Sequence, residues 1–218
     1  MFYRDSQHVY RVPELDELPW LLHGFGTRVS DIPAQFRNLA TLKQIHSAAC
    51  VAAAGRTGVL GEGDALLETT PGSVVAVKTA DCLPVLLVDE RLRAVAAVHA
   101  GWRGTAARIV ARAVEAMGER FGTRPADLHA AIGPGIGPCC YEVGPEVAAQ
   151  FPGQPGAGKP GGRLDLVDET ARQLAGGGVT PERIHASYLC TRCRADEFHS
   201  FRRDREAAGR MHSFVGIR

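Results

Sequence analysis

The chain has 218 residues, 45% of them hydrophobic, which is enough apolar mass for one sizeable core, and a single domain over 1–218 is the expected organisation. A formal net charge of +1, with acids and bases interspersed, provides no broad field for gripping nucleic acid or an anionic membrane surface. No run approaches the roughly 20 apolar residues of a membrane span, Met1 to His8 has no signal-peptide core, and the six cysteines do not read as a disulfide framework in a chain this long. The expectation is a soluble, cytoplasmic protein with reduced thiols that acts on small molecules; nothing in the composition sets an oligomeric state.

In chain order, Ala65-Leu66-Leu67, Ser73 to Lys78, Leu83 to Val88 and Ala94 to His99 are short, rich in branched aliphatics and separated by turn residues, so they read as the strands of a sheet core. The polar Asp89-Glu90-Arg91 between the last two predicts a hairpin. Thr105 is the expected N-cap of a helix running through Ile109, Val110, Ala113, Val114 and Met117 to Gly118, with apolar residues at helical spacing. Leu128 to Ile132 reads as a strand, followed by a turn-rich loop from Gly133 to Pro138 that is placed to form part of a site. A short helix is expected over Pro145 to Phe151, a flexible exposed loop over Pro152 to Gly162, a helix over Leu166 to Ala175 stopped by three glycines, and strands over Ile184 to Leu189, Phe198 to Arg203 and Met211 to Ile217. The mixture of strands and covering helices predicts an α/β (α+β) protein.

Chemistry concentrates at the ends of the hairpin. A turn centred between Glu90 and Arg91 sets Cys82 directly opposite His99, at a separation that two ligands of one metal ion can use. With His46 from Gln44-Ile45-His46-Ser47 as the third donor, a His, Cys, His set suits a catalytic zinc that keeps a fourth position open. The same trio matches a blue-copper set, although the three methionines offer no obvious axial ligand and the remaining histidines are scattered singly. A third option makes Cys82 a nucleophile activated by His99, which leaves His46 without a role. Each cysteine or histidine taken alone is as easily a buried structural residue. Asp81 is the candidate proton-transferring carboxylate or partner of a ligand histidine, against the plainer reading of a strand-end hydrogen bond to backbone. Arg103, Arg28, Arg202-Arg203 and Arg210 are candidates to bind an anion such as phosphate. Cys190-Thr191-Arg192-Cys193, lacking a second well-spaced pair, reads as incidental.

Gln44-Ile45-His46, Gly63-Asp64-Ala65, Thr79-Ala80-Asp81-Cys82-Leu83-Pro84, His99-Ala100-Gly101-Trp102-Arg103-Gly104, Ile132-Gly133-Pro134, Tyr141-Glu142-Val143-Gly144, Cys190-Thr191, Ser200-Phe201-Arg202-Arg203-Asp204 and Gly209-Arg210-Met211 lie in order over most of the chain. Together they resemble the YfiH-like laccase-domain family, whose members have been described as multicopper polyphenol oxidases and as peptidoglycan editing factors. The resemblance implies layered mixed β-sheets with flanking helices, related to the cysteine-hydrolase fold of cytotoxic necrotizing factor. It further implies a metal held by His46, Cys82 and His99, with zinc the usual ion and copper the alternative. The implied activity is phosphorolysis of adenosine, inosine, guanosine and methylthioadenosine, together with adenosine deamination, so that the partners are a nucleoside and phosphate. On this reading Asp81 and Arg103 are catalytic, and Arg28, Gln44 and Arg103 contact substrate or phosphate. Copper-dependent polyphenol oxidation and the editing of peptidoglycan precursors are the competing activities. Phe201, His199, His212 and a short segment between Arg28 and Gln44 depart from the family pattern and bear on substrate shape.

Overall fold

A computed structural model describes residues 1–154 and 162–218; most of the glycine- and proline-rich stretch expected to be a flexible loop, residues 155–161, lies outside the described residues. Two mixed sheets pack face to face. The first orders its strands Tyr3–Arg4, Tyr10–Arg11, Leu21–Phe25, Met211–Ile217, Val74–Thr79, Leu39–Lys43 and Gly58–Glu62. The second orders Ile184–Ala186, Leu128–Ile132, Leu83–Asp89, Ala94–Ala100, Ala65–Glu68 and Cys50–Ala52. Parallel pairs, such as Leu39–Lys43 with Val74–Thr79, sit beside antiparallel ones. Among the described residues no helix is long and apolar enough to cross a membrane.

The alternation of side chains along each strand explains the layers. In Leu83–Asp89, whose seven residues are all buried, Leu83, Val85 and Leu87 face one core while Leu86 and Val88 face another. Leu86, Val88, Val95 and Ala97 meet Val75, Val77, Val215 and Phe25 between the sheets. Leu83, Val85, Leu87, Ala96 and Val98 meet Ile109, Val110, Val114 and Met117 of helix Ile109–Phe121, and Leu166 and Leu174 of helix Leu166–Gly176. A strand covered on both faces has no polar side to show, which is why these segments read as unbroken apolar runs.

Several local expectations are corrected. The hairpin turn is longer than its polar centre suggests: Asp89 Oδ1 accepts from the backbone N–H groups of Arg91 and Leu92, both at 2.9 Å, and Arg93 turns left-handed at φ 51°. The register therefore pairs His99 with Pro84 and Ala100 with Leu83, so Cys82 is not directly opposite His99. One further step along the register places Cys82 opposite Gly101, with His99 its diagonal neighbour on the same face. Thr105 is not a helix cap but a buried residue inside the short helix Trp102–Ala106; the long helix starts after Arg108, whose φ of 60° breaks the two apart, and it runs past Gly118 to Phe121 before Gly122 closes it. Phe198 to Arg203 is not a strand, because the Ser200 hydroxyl accepts from Arg203 N–H and caps the helix Phe201–Asp204. The strands before Ala65 were not anticipated: they are short, and one, Gly58–Glu62, is largely exposed, so they lack the apolar runs that marked the second sheet.

Gly133, at the end of strand Leu128–Ile132, is a point of close approach between the layers, since a Cβ there would overlap the ring of the fully buried Phe25. Gly133→Ala is expected to cost about 1–3 kcal/mol of stability as overpacking. In urea titrations its midpoint should fall without a change in slope, and Phe25→Leu in the same chain should recover part of the loss.

Candidate metal centre

The chain brings His46, Cys82 and His99 together: one donor atom from each lies within 4.8 Å of the others. A tetrahedral ion with metal–nitrogen distances near 2.0–2.1 Å and a metal–sulfur distance near 2.3 Å needs donors about 3.3–3.8 Å apart, a spacing that falls inside the 4.8 Å span of the trio. The two imidazoles meet edge to face at 77° with centroids 4.9 Å apart. His99 and Cys82 come from the open end of the hairpin and His46 from the loop after Leu39–Lys43. Gly101 lies beside them for lack of a side chain, since a Cβ there would approach Cys82 Sγ to 2.8 Å and His46 Cδ2 to 3.4 Å.

The carboxylate that orders this trio is Asp64, which stands immediately before strand Ala65–Glu68 and is fully buried. His99 Nδ1–H donates to Asp64 Oδ1 at 2.8 Å, and because a carboxylate only accepts, this leaves Nε2 as the free donor for a metal. Asp64 also accepts from the backbone N–H groups of His46 at 3.1 Å and Ser47 at 2.6 Å and from the Ser47 hydroxyl at 2.7 Å, which holds the His46 loop to the same group. Burial alone would raise its pKa, but the hydrogen bonds from His99 and Ser47 outweigh it and pull it down to about 2. Burial likewise opposes ionisation of Cys82 and His99. Their contacts win: the hydrogen bonds from both histidines lower Cys82 to about 6, and those to Asp64 and Cys82 raise His99 to about 9, so without metal the pair is a thiolate and an imidazolium at neutral pH.

Asp81, expected as a candidate partner of a ligand histidine, does not fill that role, since the partner of His99 is Asp64. Asp81 Oδ1 accepts from the Thr191 hydroxyl and Oδ2 from the Arg202 N–H, both at 2.6 Å, while its carbonyl accepts from Ile136 N–H at 2.8 Å. These bonds hold it at φ 86°, a conformation that a non-glycine residue adopts only when its surroundings enforce it. Next to Cys82 in the chain, it anchors the ligand turn to two loops.

The trio opens into a cavity of about 890 Å³, within the range of small-molecule sites. Gln44 lines it, with its amide paired to the backbone of Lys78 in both directions at 2.8 Å, which extends the strand pairing and leaves it a bracing role in the wall. Arg103 lines it too, its guanidinium carbon 4.2 Å from the Trp102 ring centroid. Arg28 does not: its guanidinium donates to the Ala195 carbonyl and it contributes no lining, which corrects its assignment to phosphate. Arg203 is likewise tied down, bonded to Asp204 and to the carbonyls of Thr191 and Phe198, whereas Arg202, Arg205 and Arg210 reach the cavity. Sequence reasoning missed Lys78, Arg205 and the walls formed by Trp102, Tyr141 and Phe201. It also missed the role of Asp64, whose signals were its place in the Gly63-Asp64-Ala65 motif and directly before an apolar strand. Cys190 and Cys193, read as incidental, lie with Cys139 and Cys140 in a second cluster of donors within 4.8 Å of one another.

In metal-depleted protein the thiolate absorbance of Cys82 should disappear as pH falls through about 6, a step identified by its absence in Cys82→Ala. Asp64→Asn removes the group that keeps His99 protonated. It should move that midpoint up toward the ordinary thiol value of about 8.5 and weaken metal binding by about 10–100-fold; an unmoved midpoint would refute the coupling.

Comparison with known proteins followed the same lines. The family described as multi-copper polyphenol oxidoreductase laccase matches residues 27–218. The chain is 41% identical over 187 residues to a purine nucleoside phosphorylase of Deinococcus radiodurans, covering 83% of this chain and 70% of that protein. It is 36% identical over 215 residues to an adenosine deaminase, RL5, from an unknown prokaryotic organism, covering 94% and 76%. The solved structure of YlmD from Geobacillus stearothermophilus superposes with a TM-score of 0.90 at 26% identity, covering 100% of this chain and 98% of that one. Bacillus licheniformis YfiH superposes with a TM-score of 0.87 at 28% identity, covering 100% and 99%. Over residues 27–218 this chain belongs to the family described as multi-copper polyphenol oxidoreductase laccase.

Proposed function

We propose that this chain is a zinc-dependent purine nucleoside phosphorylase, acting on adenosine, inosine, guanosine and methylthioadenosine, which also deaminates adenosine and works in the cytoplasm as one domain. The observation that carries the reading is a single cavity combining the His46, Cys82, His99 trio with aromatic walls and with cations that have no carboxylate partner. Among the described residues Lys78, Arg103 and Arg205 line the cavity and enter no ion pair, whereas Lys43 is paired with Glu62 at 2.8 Å. Unpaired cations in a concave site favour an anionic ligand, and guanidinium suits phosphate. The names of relatives, purine nucleoside phosphorylase and adenosine deaminase, point the same way.

Phosphorolysis joins a phosphate oxygen to the sugar carbon C1′ as the carbon–nitrogen bond breaks, and the electron pair leaves with the purine, which takes up a proton. Arg103 and Lys78 would hold phosphate against the sugar, converting an encounter of two reactants into a positioned attack. Tyr141, Trp102 and Phe201 would flank the base, with Arg202 fixing Tyr141 through a guanidinium 5.4 Å from its ring centroid. Asp81 keeps the Cys82 turn and the Arg202 helix in register and is the carboxylate we assign to proton transfer at the cavity wall. The ion, held by His46 Nε2 or Nδ1, Cys82 Sγ and His99 Nε2, supplies Lewis-acid activation when bound.

Zinc suits these donors better than copper. A blue-copper site adds a weak axial methionine, but no methionine lines the cavity: Met117 faces the core from the long helix and Met211 Sδ accepts from His199 N–H. Among the described residues the only other cluster of metal donors is made of cysteines, not the many histidines an oxygen-reducing copper cluster requires.

Purified protein should release hypoxanthine from inosine only when phosphate is present. Cys82→Ala should lower kcat/KM by more than about 100-fold, beyond the usual cost of disturbing a ligand's hydrogen-bond partner. Arg103→Ala should raise the KM for phosphate about tenfold with a smaller effect on that for inosine. Release that ignores phosphate, phenol oxidation that depends on added copper, or cleavage of a muropeptide precursor without response to nucleosides would each overturn the reading.

A further inference from the structure

Outside the catalytic cavity the fold assembles a second set of soft donors that the proposed reaction does not use. Cys139 and Cys140 lie in the loop after strand Leu128–Ile132, and Cys190 and Cys193 in the turn after Ile184–Ala186. Fifty residues apart in the chain, the two pairs meet because their parent strands are adjacent and parallel, with Ile132 beside Ala186 and a further bridge between Gly135 and Cys190. All four sulfurs lie within 4.8 Å of one another; Cys139 and Cys193 are 3.6 Å apart, and Cys140 and Cys193 3.4 Å.

We propose that Cys139, Cys140, Cys190 and Cys193 form a closed four-thiolate zinc site, separate from the His46, Cys82, His99 centre. A tetrahedral ion with metal–sulfur bonds of about 2.3 Å requires sulfur pairs about 3.8 Å apart; Cys193 lies near that distance from Cys139 and Cys140, and the remaining pairs fall within 4.8 Å. Both Cys193 separations are far longer than the roughly 2.05 Å of a disulfide. Four sulfurs and no open position suit an ion that is structural and has no redox chemistry. Binding forms four zinc–sulfur bonds and releases the thiol protons to solvent, with no electron transferred.

The surroundings are built for thiolates. Gly137 N–H donates to Cys190 Sγ at 3.3 Å, the kind of hydrogen bond that supports a ligand sulfur from behind. The same glycine packs closely on the cluster, since a Cβ there would lie 3.3 Å from Cys190 Cβ and 3.4 Å from Cys139 Sγ. Arg192, between the last two cysteines, sits beside Cys140 and offsets part of the charge that four thiolates leave after zinc is neutralised. Cys140 is followed by Tyr141, which lines the cavity, and Cys190 by Thr191, which donates to Asp81. A zinc ion here would therefore staple together two loops that form one wall of the cavity.

Elemental analysis of protein purified without added metal tests this independently of the phosphorylase reading. Wild type should hold two zinc ions per chain, and Cys82→Ala, with the four cysteines untouched, should keep one. In Cys82→Ala exchanged with cobalt, intense thiolate-to-metal absorption and tetrahedral bands should appear, and these should be lost in Cys82→Ala/Cys193→Ser. Cys139→Ser and Cys193→Ser alone should each retain one zinc at the His46, Cys82, His99 centre and a native circular dichroism spectrum. Zinc-free Cys82→Ala with four freely reactive thiols, recovery of these cysteines as disulfides in unreduced peptide maps, or iron in place of zinc would each overturn the proposal.

Discussion

A buried carboxylate is expensive unless its lone pairs are filled, and Asp64 meets that condition by collecting donors from two separate parts of the chain. The loop bearing His46 supplies backbone N–H groups and the Ser47 hydroxyl, and the hairpin strand supplies His99. One buried charge thus fixes the His99 imidazole and the backbone that carries His46, selects the His99 tautomer and biases the cluster toward a thiolate at Cys82. Remove that charge and the loop loses its anchor while the histidine loses its orientation, so the geometry of the three candidate ligands depends on a residue that is not one of them.

Asp81 does for the walls what Asp64 does for the ligands. Its side chain and carbonyl connect the Cys82 turn to the loop at Ile136, to Thr191 and to the start of the Arg202 helix. Through Thr191, and through Arg202 to Tyr141, that network reaches the neighbours of Cys190 and Cys140, so the cavity, the His46, Cys82, His99 trio and the second cluster share one set of supports. The left-handed backbone at Asp81 and at His46, with φ of 59°, shows local conformation yielding to these tertiary demands. Lys78, Arg103 and Arg205 remain without acidic partners among the described residues, which leaves their charge available to a ligand and not consumed by the fold.

The apolar runs from Ala65 to Ala100 and from Leu128 to Ile132 were legible because strands buried on both faces have no polar side to obscure them. Helix Leu166–Gly176 was legible from its spacing and its glycines. The strands before Ala65 carried too little pattern, and the hairpin centre could not be found from polarity alone, because the side chain of Asp89 captures two amides and lengthens the turn. The same one-step change explains Gly101, which faces Cys82 and must leave room for its sulfur.

By itself the sequence determined the chemistry present: the thiol and imidazole donors at His46, Cys82 and His99, a surplus of arginine near them, and strand segments able to bury a core. Composition and local periodicity are properties of neighbouring residues, and they survive in a linear reading. Only the tertiary structure decided which distant groups meet. It gave His99 its partner in Asp64 and not Asp81, withdrew Arg28 from the cavity, and joined Cys139 and Cys140 to a Cys-x-x-Cys that looked solitary. The reason is that strand order and register set contacts between residues far apart in the chain, and a shift of a single residue in a turn is enough to change which side chains stand opposite each other.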